Sequence, residues 1–249
     1  MIWDTCHGSA HIGPIQGIAY RLVESQEQVA TRSMVDTLDE QSLLEQMLDE
    51  VKPPYPPNAE GYHYLLCTPF RYPPLPYGSR FGSRDQPSLF YAAKSATTSL
   101  AETAYYRCVY WHSMSEPPPQ PIRTEHSLFS VGYETVSGIQ LQNPPFNKYQ
   151  SALTRIDDYH VTQALGKDMR EAGVAGFEYV SARDPDQGLC IALFDLAPFV
   201  DEAPLSQEIY FCDLSSSDVV FKPKSGREIY RYSMSNFYTV DGTFPRPAQ

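Results

Sequence analysis

Three proline clusters cut this chain into pieces: PPYPP at 53–57, FRYPPLPYGSRF at 70–81 and EPPPQP at 116–121. Proline fixes φ and has no N–H to donate, so neither a helix interior nor an inner strand runs through any of them. Regular structure is confined to the stretches between, joined by stiff loops. With 22 prolines and 18 tyrosines in 249 residues, a bundle of long helices is excluded, and a mixed α/β or α+β domain is expected.

Between the clusters, hydrophobic spacing assigns the elements. IAYRLVES (Ile18–Ser25) reads as a short strand. QEQVATRSMVDTLDEQSLLEQMLDEVK carries Met34, Leu38, Leu44, Met47, Leu48 and Val51 at helical spacing, which predicts one long or two shorter amphipathic helices, ended by PPYPP. HYLLCTPF (His63–Phe70) and SLFYAAK (Ser88–Lys94) read as strands. SATTSLAETAYYRCVYWHS predicts a helix with Leu100, Ala104, Cys108 and Trp111 on one face. HSLFSVGYE predicts a strand. DDYHVTQALGKDMREAG predicts a helix capped near Asp157 or Asp158, with Val161, Leu165, Met169 and Ala172 inward and Gly173 just past its end. GFEYVSAR and GLCIALFDL follow as strand, turn and strand, and DVVFKPKSGREIYRYSM as a late strand or hairpin. The chain divides into an N-terminal strand and helical extension, 1–57, and a larger domain, 58–249.

A net charge of −11 with no Lys/Arg run argues against direct binding of nucleic acid. It leaves room for a small anion held by a few arginines. Cys6, Cys67, Cys108, Cys190 and Cys212 are widely spaced, with no CxxC, and read as thiols in a reducing compartment. The N-terminus lacks the pattern of a signal peptide and no run is long enough to span a membrane, so a cytoplasmic protein is expected. His7 and His11 lie among glycines, and no metal is expected. Oligomeric state is left open.

Several residue types could carry chemistry. Arg71 and Arg80 flank the proline-rich loop. They pair with surface acids, or they form two arms that hold a pyrophosphate, which two guanidinium forks fit. Ser99-Leu-Ala-Glu102 has capping-box spacing. Alternatively, Glu102 is a fixed carboxylate for a ribose hydroxyl or for positive charge developing on a sugar. Tyr91 is a sheet tyrosine or a wall for a flat ring. Ser181, in EYVSAR, follows a strand with Arg183 two positions on, and reads as a strand-end hydroxyl satisfying backbone groups.

PFRY, GSRF, LFYAA, SLAE and GFEYVSAR, in that order, resemble the motifs of the RES domain family over about Tyr62–Val200. The resemblance implies an ADP-ribosyltransferase-like core, here with an N-terminal helical segment. It also implies a toxin that cleaves the nicotinamide–ribose bond of NAD by hydrolysis or phosphorolysis, NAD being its substrate, and that an Xre-type helix-turn-helix antitoxin inhibits. Arg71, Arg80, Tyr91, Glu102 and Ser181 then become its catalytic set, with Tyr72, His160 and Gln163 as further pocket residues. The chain departs from the pattern in Val180-Ser181, where the family has Pro-Ser, and in Phe81, where it has Trp. Arg21, in AYRLV, also resembles the family's first Tyr-Arg strand. Arg71 is preferred because its spacing to Arg80 suits a loop without an inserted helix; with Arg21 instead, the long helix is an insertion within the domain. Transfer of ADP-ribose to a protein and a non-enzymatic interaction module are the remaining readings.

Overall fold

The prolines of the three clusters fall between elements, α3 running only into the first two residues of the second cluster, and the sheet they leave room for closes on itself. The computed structural model describes residues 1–25 and 34–245. Among these the fold is mixed α+β: six helices, α1 (Ile2–Thr5), α2 (Leu38–Glu50), α3 (Tyr64–Arg71), α4 (Ala96–Ser113), α5 (Gln150–Leu153) and α6 (His160–Glu171), with one eight-stranded sheet. Its strands are β1 (Gly13–Glu24), β2 (Phe90–Ala93), β3 (Ile122–Gln140), β4 (Gly176–Val180), β5 (Leu189–Leu193), β6 (Ser206–Leu214), β7 (Asp218–Pro223) and β8 (Tyr230–Ser233).

β1 pairs with β2, β2 with β5, β5 with β4, β4 with β3, and β3 returns to β1. The pairings form a five-strand ring, and closure leaves it no open edge. β6, β7 and β8 continue from the first half of β3. β3 and β4 are parallel, and the other pairings are antiparallel. Inside the ring pack Ile15, Ala19, Phe90, Phe129, Val131, Ile191 and Leu193, closed by Leu65, Leu66 and Cys67 of α3. α4 covers a second core of Leu100, Ala104, Tyr105, Cys108 and Trp111 against β6 and β7, and α6 a third with Leu165, Met169 and Phe177.

Several expectations are corrected. His63–Phe70 is not a strand. It is α3, whose first turn His63 caps by accepting from Leu65 N–H at 3.3 Å. A short apolar run reads alike in either conformation, and here its burial falls on Leu65, Leu66 and Cys67. β6 escaped the sequence reading. β1 is longer than IAYRLVES, and it pairs along its length with β3. Residues 13–24 are therefore part of the core sheet, not an extension ahead of it, and α2 lies on an insertion between β1 and α3. α2 begins with a Thr37/Glu40 capping box, and its Leu38, Met47 and Leu48 are exposed. The part of the expected helix at 26–33 lies outside the described residues. On α6, Leu165 and Met169 are buried as expected while Val161 faces out, and Gly173 ends the helix at φ +78°. All five cysteines are free and buried.

Candidate active site

β1 and β2 share a single register pair, Tyr20 with Ala93, and separate beyond it. Ser99 of α4 bridges the split, its Oγ accepting the Leu22 N–H at 2.9 Å. A cavity of about 250 Å³ opens there, lined by Arg21, Arg80, Tyr91, Glu102, Tyr106 and Cys190 among others. Four of the expected site residues thus meet: Arg21, Arg80, Tyr91 and Glu102.

Ser181 joins them from β4's end. Its hydroxyl donates to Glu102 Oε1 at 2.5 Å and accepts the N–H groups of Arg183 at 3.1 Å and Asp184 at 2.9 Å. The Cys190 thiol approaches the same carboxylate oxygen at 3.7 Å. The capping-box reading of Glu102 is corrected accordingly: Ser95 caps α4 by accepting from Thr98 N–H at 3.1 Å, and Ser99 serves β1. Glu102 stands in the second turn, beyond the reach of the helix N-terminus. One helical turn on from it, Tyr106 lines the same cavity, an i,i+4 signal readable in the sequence.

Arg80 is held from several sides. Its Nη1 donates to Arg155 O at 2.8 Å and Leu153 O at 3.3 Å, and its guanidinium lies 4.8 Å from the Tyr159 ring. Burial works against its charge, and Tyr159 and Glu102 outweigh it, raising the pKa. The Tyr91 hydroxyl contacts Ser79 Oγ at 2.8 Å and accepts Phe81 N–H at 3.1 Å, so the residue that walls the cavity also pins the segment carrying Arg80. Burial pushes that hydroxyl up to about 12. Phe81 is fully buried, 4.7 Å from Phe177 and 4.9 Å from Tyr179. α6 approaches this segment so closely that a Cβ on Gly166 would lie 1.9 Å from Phe81 O.

Arg21 sits at an interior position of β1, opposite Phe129 and with its guanidinium 5.0 Å from the Phe90 ring. Desolvation there lowers its pKa to about 10, which leaves it charged at neutral pH. Its buried Nη1 has no hydrogen-bond partner among the described residues.

Arg71, preferred in the sequence reading, does not reach this cavity. Its Nε donates to Pro53 O, its Nη1 lies 3.5 Å from Asp49, and its guanidinium is 4.1 Å from the Tyr55 ring. Arg21 reaches the cavity because β1 pairs with distant β3, a placement that spacing along the chain does not show. Tyr72 lines a neighbouring cavity that shares Arg21. Gln163 instead donates to Tyr77 O and Ser79 O, both at 3.0 Å, bracing the Arg80 loop. His160 is exposed and bonded to Asp158 at 2.8 Å. Arg183, at the end of GFEYVSAR, and Tyr159 were not among the expected site residues; Arg183 Nη2 donates to the Tyr159 hydroxyl at 3.0 Å, and the Tyr159 ring faces Arg80.

Among the described residues, no group of three or more His, Cys, Asp or Glu side chains is placed to hold a metal, and no helix is long and apolar enough to cross a membrane. The model of the RES domain matches residues 55–213. The chain belongs to the RES domain family. β1 lies ahead of the matched span, yet it completes the ring and brings Arg21 to the RES domain's cavity. No curated protein matches the sequence. Among solved structures, a chain of the M. tuberculosis MbcT–MbcA toxin–antitoxin complex is similar, with a TM-score of 0.47 and 11% identity over 86% of this chain and 92% of that one.

Proposed function

We propose that this RES domain is a toxin-type enzyme that cleaves the nicotinamide–ribose bond of NAD. The observation that carries the reading is the Glu102 carboxylate, held by the buried Ser181 hydroxyl, at a cavity walled by two guanidinium groups and Tyr91. Scission of a nicotinamide–ribose bond passes through an oxocarbenium-like ribose. Ser181 pins Glu102 Oε1, which presents the carboxylate to a ribose hydroxyl and to the developing positive charge. Arg21 and Arg80 hold the pyrophosphate, and Tyr91 walls the nicotinamide side. Nicotinamide leaves with the bonding electron pair and is neutral. Water adds at the anomeric carbon and releases a proton, giving ADP-ribose; inorganic phosphate in its place gives ADP-ribose 1″-phosphate. An antitoxin of the Xre type that covers this cavity is the partner such an enzyme requires.

Incubation of the purified protein with NAD, with and without phosphate, tests the reading by chromatography. Release of nicotinamide is expected. The second product separates the routes: free ADP-ribose, its 1″-phosphate, or ADP-ribose attached to protein. Absence of nicotinamide release under all conditions overturns it.

A further inference from the structure

Arg21 belongs to two cavities. The second, about 230 Å³, opens between the end of β1 and α3 and is lined by Val23, Glu24, Tyr64, Leu65, Thr68 and Tyr72 in addition to Arg21. The Tyr64 and Tyr72 rings are partly exposed. Val23, Leu65 and Pro69 supply apolar wall, and Ser25, Thr68 and Ser127 further polar groups. Glu24 is held in place by Arg107, whose Nη1 donates to its Oε2 at 2.9 Å. Flat aromatic and apolar walls with a few fixed polar groups suit a heterocyclic base and its sugar.

Neither cavity alone reaches the ~300 Å³ at which small-molecule sites usually begin. A dinucleotide consists of two base–ribose halves joined by a pyrophosphate. It calls for two chambers of this size with a cation between them, and Arg21 is that cation: it lines both, and its buried Nη1 has no protein partner among the described residues. An orphaned guanidinium nitrogen in an apolar setting costs stability unless a ligand oxygen satisfies it.

We propose that the second cavity is a purine-nucleotide subsite. It takes the half of the dinucleotide farthest from the bond that breaks, with the base against Tyr72, its polar edge or ribose toward Glu24 and Thr68, and the bridging phosphates on Arg21. This rests on the cleavage reading above and adds to it: the enzyme selects dinucleotides over nicotinamide mononucleotide, and binding energy from the remote half raises affinity without entering the chemical step.

Two variants test the subsite: Tyr72→Ala removes a partly exposed wall, and Thr68→Trp fills the chamber. The preference for NAD over nicotinamide mononucleotide, as a ratio of kcat/KM, is expected to fall about tenfold in each, the size of one lost base–aromatic stack. The change is expected in KM for NAD, with kcat within twofold. An unchanged preference in both variants overturns the subsite while the cleavage reading stands. Calorimetric titration with adenosine monophosphate decides independently of turnover. Binding to the wild type that weakens about tenfold in both variants supports the subsite even if no nicotinamide is released from any substrate, a result that would overturn the cleavage reading instead. No binding to the wild type, or equal binding to all three proteins, overturns the subsite.

Discussion

Glu178 and Glu102 are both carried into the protein, and the fold treats them in opposite ways. Glu178, on β4, is 1% exposed, and each oxygen accepts twice: Oε1 from Lys94 Nζ at 2.5 Å and the Tyr133 hydroxyl at 2.6 Å, Oε2 from Gln140 at 3.1 Å and Gln142 at 2.9 Å. Those donors fill its lone-pair sites. Glu102 is gripped at one oxygen, by Ser181 and Cys190, and its carboxylate borders a cavity. The same contrast separates two arginines. Arg71 spends its guanidinium on Pro53, Asp49 and Tyr55, whereas a buried nitrogen of Arg21 has no partner among the described residues. Groups whose bonding is completed within the protein build the fold. Groups left incomplete beside a void are where a ligand is wanted.

The largest effect expected is on the satisfied carboxylate. Burial alone would raise the Glu178 pKa, but the bonds from Lys94, Tyr133 and Gln140 outweigh it and hold it below the ordinary 4.5. Glu178→Ala leaves Lys94 without its buried partner, a loss of about 3–5 kcal/mol. For a chain of this length that lowers Tm by at least about 6 °C, readable by thermal unfolding. Because the folded pKa is depressed, the wild type carries this contribution fully above pH 4.5 and loses it as the pH falls through the folded value. A Tm in the variant within 2 °C of the wild type would erase the distinction between the two carboxylates.

Glu102→Gln is the mirror experiment. It is isosteric and Ser181 can still donate to the side-chain oxygen, so Tm is expected to stay within about 2 °C, while nicotinamide release from NAD falls at least ~100-fold. Measured together, the two variants should exchange their effects, one losing stability and the other turnover.

Arg21→Met sharpens the contrast within a single residue. The methionine relieves an unsatisfied buried cation, so Tm is expected to hold or rise. Loss of a phosphate-binding guanidinium is worth ~2 kcal/mol, about a 30-fold fall in kcat/KM for NAD. A fall in both stability and turnover would place Arg21 with the structural groups.

These contrasts were partly written in the sequence. α4 and α6 were readable because their apolar residues recur at helical spacing over several turns, and β4 and β5 because GFEYV and LCIAL are apolar runs bounded by turns. Arg80, Tyr91, Glu102 and Ser181 were readable as motifs. Whether a carboxylate is satisfied was not: Glu178 stands in the middle of GFEYVSAR, and its four donors come from distant places, Lys94 just after β2, Tyr133 and Gln140 on β3, and Gln142 just after β3. The different placement of Arg21 and Arg71 was hidden for a related reason. Closeness along the chain favoured Arg71, while the ring that carries Arg21 inward is made by strand pairing across long separations. HYLLCTPF was too short for periodicity to tell a helix from a strand.

Arg71→Met is the smallest expected effect and the most direct check on that choice. Arg71 stands at the end of α3 and ties it to the segment at 49–55, through an acceptor carbonyl, a half-exposed ion pair and a ring contact. Asp49 is well exposed, and such pairs are worth ~1 kcal/mol or less; the ring contact adds about as much. Tm should therefore fall by a few degrees. Turnover is the informative reading. Since the Arg71 guanidinium is engaged away from the Glu102 cavity, kcat/KM for NAD should change less than threefold, against about 30-fold for Arg21→Met. If the two variants lose turnover equally, Arg71 must leave Pro53 and Asp49 to meet the substrate, and a completed set of protein bonds would no longer mark a group as structural.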